Sequence, residues 1–143
     1  MDDSAVVLEG VTRSYGGGAT EVVALHQVSV GFARGGFTAV MGPSGSGKST
    51  LLRVAIARAL LARPEVLFAD EPTGALDRGT GRGVLTLLRE AVDEFGQTVV
   101  MVTHDPEAAA QADTALFLTD GRIVDVLDGP SVEQIGIRLG GRR

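Results

Sequence analysis

Residues 37 to 50 read Phe37-Thr38-Ala39-Val40-Met41-Gly42-Pro43-Ser44-Gly45-Ser46-Gly47-Lys48-Ser49-Thr50. The first five are apolar or β-branched and predict a short buried strand. From Gly42 to Ser49 the chain fits G-x-x-x-x-G-K-[ST]. Ser49 to Ala62 carries leucine, valine, isoleucine and alanine without internal proline or glycine, which predicts a helix that Arg63-Pro64 stops. Strand, glycine-rich loop and helix form the context this motif requires. Its glycines let successive backbone N–H groups curl around phosphate oxygens, and the helix N-terminus adds partial positive charge. Lys48 reaches the β- and γ-phosphates, while Ser49 can ligate Mg²⁺. The plainer alternative is a flexible Gly/Ser turn before a helix. Against it stands Lys48, the only lysine in a chain whose other basic residues are all arginine.

Working outward, Ala5 to Glu9 and Val22 to Phe32 are rich in apolar and β-branched residues and flank the turn-forming Gly16-Gly17-Gly18. They predict two or three antiparallel strands. Downstream, Val66 to Ala69 predicts a second buried strand. Asp77 can cap a helix whose apolar positions Val84, Leu87, Leu88, Ala91, Val92 and Phe95 recur at helical spacing until Gly96 ends it. Thr98 to Thr103 predicts a third strand, and Asp105-Pro106 starts a short helix through Gln111. Ala115 to Leu118 and Arg122 to Leu127 flank Asp120-Gly121, a hairpin signal. The Gly- and Arg-rich tail from Ser131 reads as frayed. Strands alternating with helices imply a mostly parallel α/β core flanked by helices, with an antiparallel N-terminal strand group and a C-terminal β-hairpin.

Two adjacent carboxylates, Asp70 and Glu71, end the Val66-to-Ala69 run. In P-loop enzymes that hydrolyse ATP, the first carboxylate holds the Mg²⁺ shell and a second polarises the attacking water. The alternative is an acidic turn that caps the next element. His104 ends the third strand, where a lone histidine is more often structural than catalytic. His26 has only a structural reading. Tyr15, the sole tyrosine, can stack on a base or simply pack in its strand.

Length and composition bound the rest. The chain has 143 residues, enough for one domain, with 44% hydrophobic and 22% charged residues, a globular composition. Its formal net charge of −5 has the wrong sign for wrapping nucleic acid by bulk electrostatics. The absence of cysteine excludes disulfides, thiolate metal sites and a cysteine nucleophile. Met1-Asp2-Asp3 is acidic where a secretory signal is basic, and no window approaches the ~20 apolar residues of a membrane span, so a cytoplasmic location is expected.

Taken together, Gly42 to Ser49, the run Leu67-Phe68-Ala69-Asp70-Glu71-Pro72-Thr73-Gly74-Ala75-Leu76-Asp77 and Val102-Thr103-His104-Asp105 resemble the nucleotide-binding subunit of an ABC transporter. The spelling Ala-Asp-Glu-Pro-Thr-Gly-Ala-Leu-Asp is similar to the branch serving lipoprotein release and macrolide export. Arg53 to Leu60 resembles the family's helix just before the metal-binding strand. The resemblance implies a P-loop NTPase fold, with ATP and Mg²⁺ held by Gly42, Pro43, Ser44, Gly45, Ser46, Gly47, Lys48, Ser49 and Thr50. It further implies that Asp70 and Ser49 serve the metal, Glu71 acts as the base, His104 senses the γ-phosphate and Tyr15 stacks on adenine. Asp77 then contacts a second nucleotide-binding subunit. A transmembrane permease subunit is the other implied partner, placing the chain at the cytoplasmic face of the membrane.

One departure is large. Lys48 and Asp70 lie only 22 positions apart, where the family places several tens of residues carrying a glutamine loop, a helical subdomain and the Leu-Ser-Gly-Gly-Gln signature. The four glutamines, Gln27, Gln97, Gln111 and Gln134, all lie elsewhere. Residues 1–143 therefore read as one truncated nucleotide-binding domain with a junction near Leu52-Arg53. In the family each ATP is closed between one subunit's P-loop and the other's signature, so this chain alone is expected to bind Mg-ATP weakly with little turnover. A non-hydrolytic ATP-binding module and a non-functional remnant are the alternatives. An unpaired sheet edge is also expected where a strand is missing.

Overall fold

A computed structural model describes residues 3–62 and 65–140. In order the elements are β1 (Ser4–Tyr15), a 3₁₀ turn (Gly18–Thr20), β2 (Val22–Ala33), β3 (Phe37–Met41), α1 (Lys48–Ala62) and β4 (Val66–Asp70). Next come α2 (Arg78–Phe95), β5 (Thr98–Val102), α3 (Pro106–Ala109), β6 (Thr114–Thr119), β7 (Arg122–Asp128) and α4 (Val132–Gly140). The helix stop expected at Arg63-Pro64 and the terminal Met1-Asp2 lie outside the described residues.

Five strands form a sheet in the order β4-β5-β3-β6-β7, parallel except for the final β6–β7 hairpin. Strands β3, β5 and β6 each sit between two neighbours and are covered on both faces, so their residues read as continuous apolar runs. Alternate residues still go to opposite sides. Val40, Val100, Val102, Leu116 and Leu118 face α1 and the antiparallel β1–β2 sheet, packing on Leu51, Leu52, Ala55, Leu25 and Phe32. Phe37, Met41, Val99, Met101 and Phe117 face the other way, onto α2, α3 and α4 through Leu85, Val92, Ala108, Ala109 and Ile135. Helix α1 is unbroken across Leu52-Arg53, and Leu51, Leu52, Ala55 and Ala59 share one buried face on both sides of that step.

Four sequence expectations need correction. First, β4 is the edge strand, with Leu67 42% exposed, because nothing pairs with its outer side among the described residues. Second, α2 buries Gly81, Leu85 and Val92, while Leu87 and Phe95 point to solvent. At about 100° per residue Leu87 lies roughly 200° around the helix from Leu85, so the face set by tertiary packing excludes it. Third, Val132–Gly140 is helical rather than frayed, while residues 141–143 of that tail lie outside the described residues. Ser131 Oγ accepts from Gln134 N, Gln134 Oε1 accepts from Ser131 N, and α4 buries its own Ile135 in the core. Helix α3 is also shorter than expected, stopping at Ala109 rather than Gln111.

Candidate functional site

The loop between β3 and α1 is shaped by close approaches that only glycine permits. At Gly47, with φ at +105°, a Cβ would stand 2.6 Å from the Ala24 carbonyl oxygen of β2. At Gly42, with φ at +153°, it would stand 2.3 Å from the Leu118 carbonyl oxygen. The β6–β7 turn braces the loop from outside: Gly121 N donates to Ser46 O at 2.8 Å, and His26 N donates to Gly121 O at 2.9 Å. His26 thus acts through its backbone. Lys48 Nζ donates to the Gly42 carbonyl, folding the ammonium back over the loop. The Ser46 hydroxyl is buried without a partner among the described residues.

This loop forms the floor of a cavity of about 690 Å³, the size of an ordinary small-molecule site. Every residue from Gly42 to Thr50 lines it, and Tyr15, Glu71 and His104 reach it from three other elements. The Tyr15 hydroxyl lies 3.4 Å from Thr50 Oγ1. That bond, followed by the Arg13 and Arg53 guanidiniums, holds the phenol below its ordinary pKa. Opposite, Glu71 Oε1 lies 2.9 Å from His104 Nδ1, and Glu71 Oε2 accepts from His104 N at 3.4 Å. This pairing leaves His104 Nε2 unengaged by Glu71 on a side chain 74% exposed. Glu71 sits at φ +47°, a left-handed conformation costly for a residue with a Cβ, and is held there by Glu71 N donating to Val102 O at 2.7 Å.

Two predicted residues stand apart. Asp70 is exposed at the end of β4 and is not on the cavity wall. Asp77 caps α2 by accepting from Thr80 N at 2.9 Å and borders a separate hollow with Thr73, Leu76 and Arg82. Its carboxyl is held below the usual range, chiefly by the Thr80 backbone and hydroxyl bonds. The sequence reading missed Val22, Val23 and Ala24, which form the cavity's β2 wall. No local signal marks them, because their role depends on how the β1–β2 sheet docks on the loop.

The donor set fits a polyphosphate: backbone amides in a glycine cradle, one ammonium and a helix N-terminus. It does not form a protein-built metal centre, since no group of three His, Asp or Glu side chains gathers among the described residues. A divalent ion here would depend on ligand phosphates together with Ser49.

Fold and cradle therefore define a P-loop nucleotide-binding domain. A family model described as ABC transporter matches residues 25–54. The macrolide export ATP-binding/permease protein MacB of Rhodospirillum rubrum is 55% identical over 73 residues, covering 51% of this chain and 11% of that protein. The lipoprotein-releasing system ATP-binding protein LolD of Acinetobacter baylyi is 52% identical over 73 residues, covering 51% of this chain and 32% of that one. Among solved structures, the ATP-binding cassette MJ0796 bound to ADP and Pi superposes with a TM-score of 0.77 at 24% identity, covering 88% of this chain and 99% of that one. Over about half of its length the chain is similar to the ATP-binding portions of MacB and LolD proteins. It spans a third or less of the length of these two curated relatives.

Proposed function

We propose that the chain binds Mg-ATP between Gly42 and Thr50, with Tyr15 against the adenine, and that by itself it turns the nucleotide over slowly or not at all. The observation that carries this reading is the convergence of the glycine cradle, Tyr15 and the Glu71–His104 pair on one cavity of about 690 Å³. Bound magnesium would supply charge neutralisation at the phosphates, with Ser49 as its protein ligand and Asp70 acting through water. In this reading Glu71 accepts a proton from water, and the Glu71–Nδ1 contact at 2.9 Å supports a His104 orientation in which Nε2 meets the γ-phosphate. What the chain lacks is a second wall. No Leu-Ser-Gly-Gly-Gln segment occurs in it, and α1 runs without interruption from the cradle to Ala62. Water exclusion and charge-stabilising donors around the transferring phosphoryl group are then missing.

In this reading residues 1–143 are one shortened nucleotide-binding domain. Its lineage is that of subunits pairing with a second copy and a membrane permease at the cytoplasmic face. Among the described residues no helix is long and apolar enough to cross a membrane. The missing wall favours a second reading, a module that holds ATP without hydrolysing it. Phosphate release measured on the chain alone and with a full-length homologous subunit separates the two. Release that appears only in the mixture, and drops about 100-fold or more with Glu71→Gln in this chain, supports an incomplete ATPase. Nucleotide binding with no release in either setting supports the binding module, and family-like rates from the isolated chain overturn the proposal.

A further inference from the structure

A second hollow, of about 330 Å³, lies between β1 and α1 and shares only Tyr15 with the phosphate cavity. Arg13 lines it from β1, and Arg53 and Arg58 line it from α1 together with half-buried Val54 and exposed Ala57 and Leu61. No carboxylate lies within 4.0 Å of any of the three guanidiniums among the described residues. That is unexpected in a chain of net charge −5, where acidic partners outnumber basic ones. Arg13 Cζ lies 5.4 Å from the Tyr15 ring centroid, within cation–π range. Three like charges drawn from two elements repel one another unless an anion sits among them.

We infer that this hollow is an anion site, separate from the nucleotide cradle, that takes a phosphoryl group. Guanidinium forks match the oxygens of a phosphoryl group in bidentate fashion, and three of them suit a dianion better than a single carboxylate. Val54, Ala57 and Leu61 beside the arginines offer apolar surface to a group attached to the phosphate. A phosphorylated metabolite and an anionic lipid headgroup share this chemistry. The inference does not depend on ATP binding in the cradle, and its test removes the cradle's ammonium and reads the arginines separately.

The chain contains one tyrosine and no tryptophan, so its intrinsic emission reports on Tyr15 alone. Inorganic phosphate is titrated into the full chain carrying Lys48→Ala, at constant ionic strength, with acetate as the control anion. The expected result is a saturable change in emission with phosphate but not acetate, with affinity at least tenfold weaker once Arg53→Gln and Arg58→Gln are added. Arg13→Gln, on the other element, should weaken it likewise, and circular dichroism checks that each variant is folded. An equal response to acetate, no saturation, or undiminished affinity in the arginine variants overturns the site. Flotation with phosphatidylglycerol/phosphatidylcholine vesicles, against phosphatidylcholine alone, separates the sources. Capture by the anionic vesicles that phosphate competes away assigns a lipid headgroup, whereas phosphate binding without capture assigns a soluble phosphate.

Discussion

Glu71 holds the most consequential conformation in the chain. Its φ is +47°, and in that conformation its carboxylate meets His104 Nδ1 at 2.9 Å. A non-glycine residue in that region costs about 1–3 kcal/mol, and here the cost is offset by the Val102 carbonyl and the neighbouring strand. Glu71→Gly should therefore raise stability to denaturant by about 1 kcal/mol while eliminating any phosphate release in a completed assembly. A loss of stability instead would mean that the His104 contact, not the backbone, dominates at this position. Residue by residue, the cradle was legible in the sequence because phosphate chemistry requires fixed residue types at fixed spacing, and all of them line the cavity. The Glu71–His104 contact was not, since it spans 33 positions and depends on β4 pairing with β5.

At the scale of elements, α2 shows how far local pattern reaches. Its ends were legible: Asp77 caps it through Thr80 N, and Gly96 closes it in the left-handed conformation. Its buried face was misread, because Leu87 and Phe95 continue an apolar period that this fold does not cover. The cap carries a pH signature. Thr80 holds the Asp77 carboxyl below its unfolded value, so the stabilisation is complete above the ordinary carboxylate range and is lost as pH falls through the folded value. Asp77→Asn keeps an acceptor that does not titrate. Denaturant midpoints measured from neutral to acid pH should fall more steeply for the parent than for this variant, and parallel curves would refute the assignment. Arg89 ties the same helix to the sheet, reaching Asp113 at 3.1 Å while Asp113 accepts from Phe37 N at 2.9 Å. Arg89→Ala is expected to cost about 1 kcal/mol, read from the same midpoints.

For the whole molecule, the short link between cradle and β4 has a visible consequence. One α1 face packs continuously across Leu52-Arg53, so β3 and β4 are still connected by a single helix and the core closes. The outer side of β4 is left unpaired among the described residues, and Leu60 and Leu61 at the end of α1 are 75% and 84% exposed. The opposite edge, β7, is blunted by Arg122, Asp125 and Asp128 and by a register shift in its hairpin; β4 has no charge before Asp70. Leu67→Lys should consequently reduce concentration-dependent aggregation in light scattering without altering the circular dichroism spectrum, and unchanged aggregation would place the sticky surface elsewhere. The missing segment predicts an unpaired edge, but which strand carries it depends on the strand order, which composition cannot give, so Val66 to Ala69 reads as a buried strand. The decisive measurement is calorimetric titration of the folded chain with Mg-ATP. A saturable heat that Lys48→Ala removes is the predicted result, and no heat from the folded parent chain would contradict nucleotide binding in the cradle.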